Sequence, residues 1–101
     1  MGTRLELQAK LEELLESPNV YYQPPENLKM NYDAIRYSLK KIDLKHADNK
    51  AYSRMKCYEL IVISRLPDNP VIEKLLELPY CSYDRHYAAN NLNHDVLTLY
   101  W

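Results

Sequence analysis

Two cysteines, three histidines and a scatter of carboxylates are the residues of this chain with chemistry to offer. Cys81, Asp84, His86, His94 and Asp95 hold the ligand types that zinc takes, provided they converge on one ion at about 2.0–2.3 Å. Side chains alternate between faces along a strand. Cys81 and His86 are five positions apart, so a regular strand sends them to opposite faces. His86 and His94 are placed as cross-strand neighbours, and two histidines are not a site, so no metal is expected. For nucleophilic catalysis, Cys81 has His86 nearby but neither an orienting partner nor a Gly-rich turn to expose the thiol. Cys57 falls inside a strand pattern, where a buried cysteine behaves as a small hydrophobe. Gly2 is the one glycine, which excludes Walker-type and dinucleotide-binding loops. The chain therefore reads as no enzyme, with no catalytic residue and no cofactor.

What the residues offer instead is a surface. Residues 36–56 hold seven basic groups (Arg36, Lys40, Lys41, Lys45, Lys50, Arg54, Lys56) against Asp43 and Asp48, a balance of +5. Residues 1–35 and 57–101 each carry −3. Such a segment either faces phosphate or an acidic neighbour, or is a solvated edge whose lysines suppress wrong pairing. Positive and negative patches on one chain also suit contacts between copies. The run RHYAANNLNHD adds hydrogen-bonding side chains. Asn tolerates αL and caps turns, so turn chemistry explains most of that run. Arg36, Lys40, Lys41, Lys45, His46, Lys50, Arg54, Arg85, Asn90 and Asn91 are the candidate partner or oligomer contacts. The alternative is a small nucleic-acid-binding module, with Tyr37, Tyr52 and Tyr58 stacking bases between the basic groups of segment 36–58.

The elements that must position these groups follow from periodicity. Thr3 with Glu6 fits a capping box, and Leu7, Leu11, Leu14 and Leu15 form one apolar stripe, which predicts a helix over 3–16. Ser17-Pro18-Asn19 stops it, and Val20 to Gln23 reads as a short strand. Ile35, Tyr37 and Leu39 alternate with Arg36, Ser38 and Lys40, the period-2 pattern of a half-buried strand. Leu44 to Ala51 is a polar loop, and Tyr52 to Arg65 a second long strand with both faces buried at Leu60–Ile63. The pair predicts an antiparallel hairpin over about 34–65. Asp68 or Asn69 caps a helix over 69–78 with Pro70 in its first turn. CSYDRHY and HDVLTLYW are closing strands around Ala88–Asn93, and the C-terminus is packed or paired. The order predicts a single α+β domain over 1–101 with a mainly antiparallel sheet and two helices packed on it.

With 101 residues, 47% of them apolar, the chain has material for one core and no more. Ten Tyr and no Phe suit half-buried strands and surfaces covered by a partner. A net charge of −1 argues against a protein that coats DNA. Two cysteines make no disulfide framework, so a reducing compartment is expected. No apolar run approaches the roughly 20 residues of a membrane span. The first residues lack a signal-peptide core and the myristoylation pattern, so secreted and membrane readings drop out.

The stretches YYQPPENLKMNYDAIRYSL, HADNKAY, Leu66-Pro67-Asp68-Asn69-Pro70 and above all ELPYCSYDRHYAANNLNHDVLTLY resemble small proteins encoded among the structural genes of long-tailed bacteriophages. These are the tail-completion, tail-terminator or neck proteins. The resemblance covers about residues 10–101 and is densest after Leu76. It implies a tail-terminator-like subunit with an N-terminal helix, a long hairpin, a second helix and closing strands. It further implies a homo-oligomeric, hexameric ring that caps the tail tube, ends its polymerisation and forms the joint to the head connector. The implied partners are the tail-tube protein and a head-connector or neck protein, with nucleic acid only as the passing genome. The implied location is the virion, assembled in the bacterial host cytoplasm.

Overall fold

The computed structural model describes residues 3–45 and 53–101. Helix α1, Arg4–Leu15, begins at the expected capping box. Thr3 Oγ1 accepts from the Glu6 amide at 3.2 Å, and Glu6 Oε1 accepts from the Thr3 amide at 3.1 Å. Leu7 and Leu11 are fully buried, while Leu14 and Leu15 pack half-buried against the same core. Glu16, in the left-handed region at φ 58°, closes the helix.

Five strands follow: β1 Val20–Tyr22, β2 Ala34–Lys45, β3 Ser53–Ser64, β4 Cys81–Ala89 and β5 Leu92–Tyr100, with helix α2, Val71–Leu76, between β3 and β4. They form one sheet in the order β1-β2-β3-β5-β4. Every pairing is antiparallel except β1 with β2, so the sheet is mixed. Parallel neighbours need a crossover, and residues 23–33 supply it. The Asn31 amide donates to the Tyr21 hydroxyl oxygen at 3.1 Å as the crossover returns.

Several boundaries differ from expectation. β2 runs on through Leu44 and Lys45, which were expected in the loop. The remainder of that loop, 46–51, and Tyr52, expected to open the second long strand, lie outside the described residues. The closing strands meet at a turn of only Asn90 and Asn91, with φ 54° and 62°, so Ala88, Ala89, Leu92 and Asn93 are strand. α2 is shorter than 69–78. Its N-cap is Pro70 rather than Asp68 or Asn69, and Asn69 Oδ1 accepts from the Val71 amide at 2.9 Å just ahead of it. The C-terminus is tied down as expected: the Trp101 amide donates to the Lys56 carbonyl at 2.9 Å, and its indole N–H to the Thr3 carbonyl at 3.0 Å.

Both helices lie on one face of the sheet. The core there joins Leu7 and Leu11 of α1, Val71 and Leu75 of α2, and inward residues such as Ile35, Tyr37, Tyr58, Leu60, Val62, Leu97 and Leu99. Tyr22, Tyr37 and Tyr58 pack into an aromatic group, tilted or edge-to-face, with ring centroids 4.9–6.5 Å apart. Burial pushes the Tyr37 and Tyr58 phenols above their ordinary range. The molecule measures 51 × 26 × 23 Å, and two twelve-residue strands at about 3.3 Å per residue supply about 40 Å of strand length.

Candidate functional site on the helix-free sheet face

Four buried apolar residues, Ala34, Cys57, Ile63 and Val96, stand apart from the helix-side core. The register explains why. Ala34 pairs with Ile63 and Ile63 with His94, while Cys57 pairs with Tyr100. Paired residues share a face, and these lie on the side opposite Ile35, Tyr37 and Leu60. Among the described residues no helix covers that side. The crossover 23–33 lies over its β1–β2 margin, where Pro24, Pro25, Leu28 and Met30 line a cleft with Arg36.

One row crosses the whole sheet on this face: Tyr21, Arg36, Ile61, Val96 and Arg85. Arg36 and Arg85 are exposed, Val96 is fully buried and Ile61 half-buried. The two guanidinium stems therefore flank an apolar strip, three strand spacings or roughly 14 Å apart. The adjoining row carries Ser38, Glu59, Thr98 and Ser82. On the other side the Tyr87 ring stacks on His94, centroids 4.7 Å apart and planes within 13°. The His94 ring is fixed further by Nδ1 donating to the Leu92 carbonyl at 3.2 Å. Arg85 pairs with Asp84 at 2.7 Å and lies 6.0 Å from the Tyr87 ring.

The sequence-predicted contacts scatter over more than this face. Arg36 and Arg85 meet in one row. Lys41 lies on the same face, opposite Cys57, and Lys40 is the extra residue at an irregularity between Leu39 and Lys41; both are exposed. Lys45 and Arg54 have backbone places in β2 and β3. His46 and Lys50 lie outside the described residues. Asn90 and Asn91 form the β4–β5 turn, far from Arg36. Glu59, Ile61, Tyr87 and His94, which complete the face, were not among the predicted contacts. Continuing the period-2 alternation through β3 would have found Glu59 and Ile61.

No protein-family model matches the chain, and no curated protein matches it.

The C-terminal cluster that resembled a metal site is rearranged by a second irregularity. The register shifts between Tyr83 and Arg85, leaving Asp84 as an extra residue. Cys81 pairs with Leu99 and His86 with Asp95, so Cys81 and His86 share the helix-side face, contrary to the parity expected of a regular strand. His94 pairs with Tyr87, so His86 and His94 are not cross-strand partners and lie on opposite faces. Each titratable group has its own local role. The Tyr83 hydroxyl donates to buried Asp95 at 2.7 Å, and this bond raises the phenol above its usual range. His86 Nε2 meets Asn93 Oδ1 at 3.1 Å. Cys81 is half-buried, and burial pushes its thiol up to about 11, which keeps it protonated.

Proposed function

We propose that this chain is a structural virion protein that caps a phage tail tube as an oligomeric ring, ends its polymerisation and joins it to the head connector. The observation that carries the reading is the one-sided sheet: helices on one face, and on the other an apolar strip between Arg36 and Arg85. Arg36, Lys41 and Arg85 stand exposed on that helix-free face, where the acidic surface of a neighbouring copy can meet them. The resemblance over residues 77–100 supplies the biological setting, and the long β2–β3 pair fits the hairpin of a tail-terminator subunit. In this reading the protein works by shape and charge, without turnover or cofactor.

The nucleic-acid alternative needs aromatic rings open to bases. Tyr37 and Tyr58 are 1% and 2% exposed and give their ring faces to the core, so those two offer no stacking platform; Tyr52, the third ring of that reading, lies outside the described residues.

The test is assembly. Purified protein should sediment as a closed oligomer and show rings in negative stain. Host cells infected with phage lacking this gene should accumulate over-long or headless tails. A monomer at all concentrations, with normal particles from the deletion phage, would overturn the reading.

A further inference from the structure

We propose that a cleft beside the start of helix α2 binds the guanidinium of an arginine side chain presented by a partner protein. The inference goes beyond the ring reading and stands without it, because the cleft lies on the helix side of the sheet.

The cleft, of about 380 Å3, lies between Pro67, Asp68 and Ile72 on one side and Tyr83, His86 and Asp95 on the other. That is the size of a small ligand pocket. The irregularity at Asp84 builds it. Tyr83 pairs with Leu97 and His86 with Asp95, and Asp95 pairs in turn with Val62 of the helix-side core. Tyr83 and His86, three positions apart, would part to opposite faces in a regular strand. The extra residue turns both toward the helices, beside Asp95.

Asp95 is the deciding group, a carboxylate only 6% exposed. Its Oδ1 accepts from the Tyr83 hydroxyl at 2.7 Å, and Oδ2 has no partner among the described residues. None of those residues holds a side-chain oxygen that is both sealed from solvent and unpartnered. Oδ2 therefore opens into the cleft that Asp95 lines. A buried carboxylate short of partners is costly, and a cation supplies what it lacks.

The rest of the lining selects the cation. Tyr83 spends its proton on Asp95, leaving its oxygen to accept. His86 Nε2 meets Asn93 Oδ1 at 3.1 Å; that oxygen only accepts, so the proton on Nε2 is spent as well. Asp68 is exposed, and its carboxylate has no partner among the described residues. The polar side chains thus offer acceptors, and Pro67 and Ile72 offer apolar wall. An arginine side chain matches both, with donors only and a stem that lies along apolar surface. Its guanidinium sheds water more readily than a lysine ammonium, and its planar fork serves more than one acceptor. Free arginine would carry its own carboxylate into this lining, so the guanidinium comes from within a polypeptide.

The test is an NMR titration of the isotope-labelled full chain. N-acetyl-arginine amide should give saturable shifts centred on residues 67–72 and 83–95. N-acetyl-citrulline amide, alike in shape but uncharged, should bind at least tenfold more weakly, and N-acetyl-lysine amide should also bind more weakly. Asp95→Asn, checked for folding by circular dichroism, should lower the affinity for the arginine probe about tenfold, as loss of a charged hydrogen-bond partner does. Asp68→Asn changes an exposed residue and should weaken binding about threefold, which keeps the test open should Asp95→Asn fail to fold. Shifts that never saturate, or that scatter outside the cleft, overturn the proposal. So does citrulline or lysine binding equal to arginine, or an affinity unchanged in the folded variants. Assembly is not read in this titration, so its failure leaves the ring reading standing.

Discussion

At the scale of single residues, the groups with the most chemical promise are the ones their surroundings quieten. Cys81 and His86 share a face, yet each is committed elsewhere, and the thiol of Cys81 sits near 11 because burial penalises the thiolate. Against an ordinary cysteine near 8.5, the thiolate fraction at pH 8 is lower by about two orders of magnitude. Alkylation of folded protein by iodoacetamide at pH 8 should therefore be about a hundredfold slower than that of free cysteine, and should keep rising with pH until the thiol titrates, at about 11. Cys57, 1% exposed, will not contribute to the signal. A Cys81 rate within fivefold of free cysteine would mean that the thiol is activated and the quiet reading is wrong. Asn90 and Asn91 illustrate the opposite case, residues whose type is explained by backbone alone. Both occupy the left-handed region, as a two-residue hairpin turn matched to strand twist requires. Asn91→Ala should cost about 1 kcal/mol in urea unfolding, whereas Asn91→Gly should be close to neutral. Equal losses from both would show that the Asn side chain, not its φ, holds the turn.

At the scale of elements, the helices were legible and the strand faces only in part. The Thr3–Glu6 box and the leucine spacing of α1 are local signals, and both survive into the structure because tertiary contacts use the same stripe. Leu11 and Leu75 are fully buried, so replacing either by Ala should cost about 2–5 kcal/mol; a loss below about 0.5 kcal/mol in chemical denaturation would place the stripe in solvent. Strand parity is different, because one inserted residue reverses every face beyond it. In β2 the apolar positions Ile35, Tyr37 and Leu39 are followed by Ile42, a step of three where two is expected. That break is a readable sign of the irregularity at Lys40. β4 gives no such sign. Its residues are mostly exposed, so CSYDRHY has no apolar alternation to lose, and the shift at Asp84 becomes visible only once β5 fixes the register. The parallel direction of β1 was equally hidden, since three residues carry no information about which way a neighbour runs.

At the scale of the whole molecule, charge and architecture point the same way. The segment 36–56 carries +5 between two stretches of −3, and the structure turns part of that segment, with Arg36 and Lys41, onto the face that lacks helices. The outer side of α1 contributes Glu6 and Glu13, both exposed. Within one subunit these groups stay apart on opposite sides of the two layers, and exposed charges so placed add little to folding stability. In the proposed ring, charges segregated in this way can meet across a subunit contact. Salt shortens the Debye length from about 30 Å at 0.01 M to about 3 Å at 1 M, so it should act on association far more than on folding. Raising sodium chloride from 0.05 to 0.5 M should weaken self-association at least tenfold in sedimentation experiments, while the urea midpoint of the subunit, measured dilute enough to be monomeric, moves by less than the error of the fit. Arg36→Glu should reduce that salt dependence by removing one attractive partner. Association that strengthens with salt would instead mark the interface as mainly apolar, with the charge segregation left as a feature of solubility alone.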